Sequence, residues 1–205
     1  MPVSEEAQLK HNRLFISIDI PAVIKKAIGL AQAEFKSKLP ENCATWTKLE
    51  QLHLTLKFLG NVPIASIEPL RQSLAAALKS YSALDLKAQG VGAFPRASSP
   101  SVVWVGIDDA AGGLRQIHDS IEKATVSFIP QERREGFRGH VTIARVKHLE
   151  RLERKRISQQ ITKLSNHSFG EWIATEIHLM RSILSPRGAQ HSCVSTFQLL
   201  KGASA

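Results

Sequence analysis

A chain of 205 residues with 43% apolar and 22% charged side chains has the composition of an ordinary globular protein, long enough for two lobes around a shared core. No segment approaches the roughly 20 apolar residues that cross a bilayer, and residues 1–13 lack the basic-then-apolar pattern of a secretory signal, so neither a membrane span nor export is expected. A net charge of +9 points to polyanionic partners, while Cys43 and Cys193, single and far apart, argue against a disulfide framework or a structural metal site and for a reducing, cytoplasmic compartment.

Along the chain, Leu14 to Ile20 alternates as a strand, and Pro21 then opens a helix with Val23, Ile24, Ala27, Ala31 and Phe35 apolar, stopping near Pro40. A short strand around Trp46 follows. His53 to Leu59 reads as a strand closed by Gly60, Pro63 to Lys79 as a helix facing inward through Ile67, Leu70, Leu74 and Leu78, and Ala83 to Ala93 as a strand ending at Phe94-Pro95. The scheme then repeats: strand Val102 to Asp108, helix Ala110 to Ser127, strand His140 to Val146 and helix Glu150 to Leu164. Trp172 to Leu184 and Ser192 to Leu200 are expected as closing strands.

Two tetrapeptides stand out, His53-Leu54-Thr55-Leu56 and His140-Val141-Thr142-Ile143. In a strand, successive side chains point to opposite faces, so each places His and Thr on one face and two aliphatics on the other. Asp19 and Asp108 end the opening strands 89 residues apart, and the histidines are 87 residues apart, which reads as a duplication with a two-residue slip. The expected organisation is one bilobal unit over 1–205, with repeat halves at about 13–95 and 101–165 and strands within 171–200 completing the sheets.

One such motif alone is a common strand pattern, but packing gives no reason to repeat His and Thr at the same register on a polar face. Two imidazoles can divide the work a phosphodiester needs, one taking a proton from the attacking water and one giving a proton to the leaving oxygen. Thr55 and Thr142 can donate hydrogen bonds to the non-bridging oxygens. Neither motif carries the three-ligand set of catalytic zinc, and no P-loop, GxSxG or GxGxxG sequence is present, so no metal or cofactor is expected. His11, His118, His148, His167, His178 and His191 form no cluster in sequence and read as structural or surface residues. Between Arg133 and Arg156 lie nine Lys or Arg against three acids, a basic stretch that brackets His140.

The chain resembles the two-histidine phosphoesterases with paired HxTx motifs, most closely the RNA 2',3'-cyclic phosphodiesterases, also called 2'-5' RNA ligases. The likeness rests on Arg13-Leu14-Phe15-Ile16, the octet His53 to Gly60, Gly92-Ala93-Phe94-Pro95, Val103-Trp104-Val105-Gly106, Gly139 to Arg145, and Leu179 to Leu184. The resemblance implies an α+β fold of two pseudo-symmetric lobes, each with an antiparallel sheet and helices, around a central cleft. It further implies metal-independent opening of RNA 2',3'-cyclic phosphate ends to 2'-phosphates, with His53 as proton donor, His140 as proton acceptor and Arg145 binding phosphate. Cleavage or joining of 2'-5' linkages belongs to the same chemistry, with RNA, including tRNA, as partner and a monomeric protein. The chain departs from the family pattern at Ala44-Thr45, Gly139, Ser101 and His191, where Arg, Pro, Arg and Tyr are common. Two other readings compete: a non-catalytic RNA-binding module and a hydrolase of small cyclic phosphates or cyclic nucleotides.

Overall fold

The computed structural model describes residues 10–129, 136–147, 149–185 and 188–201. Among the described residues, nine strands and four α-helices follow in the order β1 (His11–Asp19), α1 (Ala22–Lys36), β2 (Ala44–Trp46), β3 (His53–Pro63), α2 (Ile64–Leu78), β4 (Leu84–Arg96), β5 (Ser99–Asp108), α3 (Gly113–Thr125), β6 (His140–Val146), α4 (Arg151–Lys163), β7 (Ser168–Ala174), β8 (Glu176–Ser185) and β9 (Gly188–Gln198), with a 3₁₀ turn at Leu49–Gln51 before β3. Among the described residues no helix is long and apolar enough to cross a membrane.

The strands form two antiparallel sheets, β3-β1-β8-β9 and β2-β6-β5-β4-β7. Helices α2 and α3 pack together and against β3, α1 packs on β7 and α4 on β4, and β3 approaches β6 where the sheets meet. The α1 stripe that enters the core is Ile24, Ile28, Ala31 and Phe35, at helical spacing. Val23, another apolar residue of this helix, is 72% exposed because it lies off that stripe.

The pseudo-two-fold is visible in the strand orders, β3-β1-β8-β9 matching β6-β5-β4-β7 with β2 as an added edge strand. Register corrects the expected slip. His53 pairs with Asp19 and Thr55 with Ser17, while His140 pairs with Gly106 and Thr142 with Trp104. The partner of Asp19 in the repeat is therefore Gly106, not Asp108, and the offset is the same 87 residues that separates the motif histidines.

Two other expectations change. Strand β3 runs on past Gly60, which takes φ +68° beside a register shift and lets the strand continue to Pro63. Trp172 to Leu184 is two strands in different sheets, β7 pairing with β4 and β8 with β1. Buried Ala174 and Ile177 are three residues apart, so the period-two phase breaks as the chain crosses at Thr175.

Candidate active site

In both motif strands the alternation delivers what the sequence implied. Leu54, Leu56, Val141 and Ile143 are buried, and His53, Thr55, His140 and Thr142 are half-buried on the opposite face. Each motif ends on a β-bulge at the equivalent place: Leu56 is skipped between Thr55 and Lys57, and Ile143 between Thr142 and Ala144. After a bulge the face of each later side chain is reversed. Arg145, five residues beyond His140, would otherwise point into the core with Ile143. Instead it pairs with Val102, on the face shared by Trp104 and Thr142, and is exposed.

Each histidine is oriented by the backbone two residues before it. His53 Nδ1 lies 2.7 Å from the Gln51 carbonyl oxygen and His140 Nδ1 lies 2.8 Å from that of Arg138. A carbonyl oxygen only accepts, so in both rings Nδ1 carries the proton and Nε2 is left with its lone pair. Among the described residues no hydrogen bond is made by the Thr55 or Thr142 hydroxyls. They remain open to a ligand.

Burial, the largest influence, pushes both imidazoles below the ordinary histidine value. For His53 the Gln51 carbonyl and the Asp19 charge oppose the shift, while His191 and Lys25 add to it. For His140 the Arg138 carbonyl opposes it and the Arg138 and Arg145 guanidinium charges add to it. Both rings of the free site are thus neutral near pH 7, and the charge on a donor has to be supported by an arriving anion.

The walls are aromatic. The His53 ring lies tilted against Phe15 at 4.9 Å, and His140 stands edge-on to Phe94 at 5.0 Å, with Trp104 at 6.3 Å. The Arg138 guanidinium lies 4.2 Å over the Trp104 ring. Phe94 belongs to that wall, whereas Trp46 packs on Phe35 beside the core.

His191 was expected to be structural or superficial; the structure instead sets its ring edge-on to His53, 5.4 Å between centroids, with Phe15 at 4.9 Å. It arrives on β9, from the far edge of the same sheet, because the β8–β9 hairpin arches back: the Gln51 side-chain amide donates to the Ala189 carbonyl. No local pattern marks His191, since its neighbours in the site come from β1 and β3. Arg138 was likewise hidden within a run of basic residues.

That basic stretch divides. Arg138 and Arg145 face the motif histidine, whereas Arg151, Arg154 and Lys155 line a hollow of about 610 Å³ on one flank of α4 that contains no motif residue. Arg133, Arg134, Glu135 and His148 lie outside the described residues. Among the described residues no group of three or more His, Cys, Asp or Glu side chains is arranged to hold a metal ion.

Comparison with known proteins fits this geometry. The family model of the 2'-5' RNA ligase superfamily matches residues 24–184. The chain is 34% identical over 176 residues to the RNA 2',3'-cyclic phosphodiesterase of Methanocaldococcus jannaschii, covering 86% of this chain and 94% of that protein. It is 28% identical over 192 residues to the protein of the same name from Archaeoglobus fulgidus, covering 91% and 99%. Among solved structures, TT0787 of Thermus thermophilus superposes with a TM-score of 0.70 at 26% identity over 93% of this chain and 100% of that one. E. coli LigT complexed with 3'-AMP superposes with a TM-score of 0.73 over 93% and 99%, its 23% identity bearing on the fold alone. With the matched segment spanning most of the chain and both HxTx strands, the chain belongs to the 2'-5' RNA ligase superfamily.

Proposed function

We propose that this protein hydrolyses the 2',3'-cyclic phosphate end of RNA to a 2'-phosphomonoester by acid and base catalysis between two histidines, without a metal. The observation that carries the reading is the matched pair of Nδ1-to-carbonyl hydrogen bonds, which gives two imidazoles one tautomer and one Nε2 lone pair each. His140 Nε2 takes a proton from water as its oxygen attacks phosphorus. The bond from phosphorus to the 3'-oxygen breaks, and His53 Nε2 gives that oxygen its proton, so the 2'-ester bond survives. Thr55 and Thr142 donate to non-bridging oxygens, and Arg145, turned to the cleft by the bulge, neutralises charge that gathers there. The names of the relatives in Methanocaldococcus jannaschii and Archaeoglobus fulgidus support the substrate class.

The same cleft serves cleavage or joining of 2'-5' linkages, since those reactions share the phosphorus centre and the proton transfers. RNA of tRNA size is the partner, the protein acts as a monomer, and the two free thiols, Cys43 and Cys193, suit a cytoplasmic setting. Incubation with an oligonucleotide ending in a 2',3'-cyclic phosphate, with and without EDTA, tests the core of this. A 2'-phosphate product formed at equal rates in both arms is expected. A 3'-phosphate product, or turnover abolished by chelator and restored by metal, would reject the mechanism, and binding without turnover would favour the RNA-binding module.

A further inference from the structure

Basic side chains do not stop at the cleft. Phe94, the ring beside His140, stands opposite Val102, and Val102 stands opposite Arg145, so Phe94 and Arg145 lie on one rung of the sheet. The β4–β5 hairpin continues outward from that rung through exposed Arg96 to its tip at Ser98, on the order of 10 Å from Phe94 at the rise of a strand. Ser98 in turn lines the hollow of about 610 Å³ whose other rim is α4, with Arg151, Arg154 and Lys155. Among the described residues none of Arg96, Arg151, Arg154 and Lys155 makes an ion pair. The acids interleaved with them serve the helix instead: Glu150 and Glu153 form a capping box, in which Glu153 accepts from the Glu150 amide at 2.6 Å. Arg154 donates from Nε to the Leu149 carbonyl at 2.9 Å, which fixes its guanidinium at the rim. The other flank of α4 is different, because there Lys38 and Lys163 both hold Glu34, at 3.0 and 2.8 Å. One flank satisfies its cations internally and the other does not.

Building on the RNA-end reaction proposed above, we infer that the Arg151 flank of α4 is a docking surface for the body of the RNA, taking backbone phosphates of the strand after it leaves the cleft past Arg96. Basic faces also serve as plain solubility devices, so charge alone decides nothing. Two observations separate this face from that use: it runs on from the rung that carries Arg145, and it lacks the acidic partner that closes the opposite flank. Arg151 and Lys155, one helical turn apart, are the cations free to follow a phosphate backbone. Phosphate contacts read no sequence, so the surface selects RNA length and not base identity. A nucleoside cyclic phosphate, whose one phosphate sits between the histidines, does not reach it.

The test compares wild type with an Arg151→Ala, Lys155→Ala double variant and with a Lys38→Ala, Lys163→Ala double variant, which removes the same charge from the other flank. The substrates are an RNA of about twelve nucleotides ending in a 2',3'-cyclic phosphate, and a nucleoside 2',3'-cyclic phosphate. Arg151→Ala, Lys155→Ala should lower kcat/KM on the RNA roughly tenfold at low salt and flatten the slope of log kcat/KM against log salt by about 1.4, the share of two single-strand phosphate contacts. Its rate on the nucleoside cyclic phosphate should stay within about twofold of wild type, which also shows that it has folded, and so should both rates of Lys38→Ala, Lys163→Ala. An unchanged RNA rate in the first variant overturns the proposal, and so do equal losses in the two, which would mean diffuse attraction by net charge. Binding of a labelled RNA of the same length ending in a 2'-phosphate, read by fluorescence anisotropy, separates this from the catalytic assignment. If wild type binds it but turns nothing over, and only Arg151→Ala, Lys155→Ala weakens that binding and flattens its salt slope, the docking surface stands and the catalytic reading falls. Equal binding by wild type and Arg151→Ala, Lys155→Ala sinks the docking surface whatever the turnover.

Discussion

Lowering the pH should first raise and then depress the efficiency of this enzyme, with the optimum of kcat/KM below 6.5. On the proposed mechanism the productive free enzyme holds one protonated and one neutral imidazole, and burial pushes both rings below the ordinary histidine value. At pH 7 the donor is therefore mostly deprotonated, and kcat/KM should fall about tenfold per pH unit on the alkaline limb. A bound phosphodiester reverses the balance. A single negative charge about 4 Å from an imidazolium, at an effective dielectric near 20, favours it by up to about 4 kcal/mol, or close to three pK units. The kcat profile, which reports the complex, should thus lie one to three units above the kcat/KM profile. Initial rates on a cyclic-phosphate oligonucleotide from about pH 4.5 to 9 at constant ionic strength measure both curves. A kcat/KM optimum above 7, or two profiles that coincide, would refute the argument from burial and anion-supported protonation.

The same shifts act on stability. A histidine whose folded value is lowered binds fewer protons folded than unfolded, so stability should fall as the pH drops below 6.5 toward the folded values; a His53→Gln, His140→Gln double variant should show a shallower fall in Tm between pH 7 and 5. Replacing either histidine by alanine should cost about 10²–10⁴-fold in kcat with a smaller change in KM, and a folded variant within tenfold of wild type would remove that residue from the chemistry. Gln32 on α1, 3% exposed, donates from Nε2 to the carbonyls of Thr47 and Ile143 at 2.9 and 2.8 Å, so it props the bulge that aims Arg145. Gln32→Ala should cost about 1–3 kcal/mol, read as a lowered Tm, together with weaker phosphate binding in a calorimetric titration. A Cβ on Gly92 would sit 2.2 Å from the buried Trp104 ring, so Gly92→Ala should displace that ring against His140 and lower both Tm and kcat/KM; an unchanged kcat would show that the indole does not position the histidine.

What the sequence determined by itself is what depends on strand periodicity. A His-x-Thr-x run whose alternate residues are aliphatic can only be anchored one way, so the faces of His53, Thr55, His140 and Thr142 were legible. Arg145 was reached only through the family likeness, because counting alternation from His140 sends it into the core. Its cleft-facing position depends on the bulge at Ile143, which is a property of how β6 pairs with β5 and leaves no mark in composition. His191 and the Gln51 clamp required tertiary structure for the same reason. They join β9 to the start of β3 across the width of a sheet, and contacts between chain segments 138 residues apart are set by how the hairpin arches and not by any local pattern.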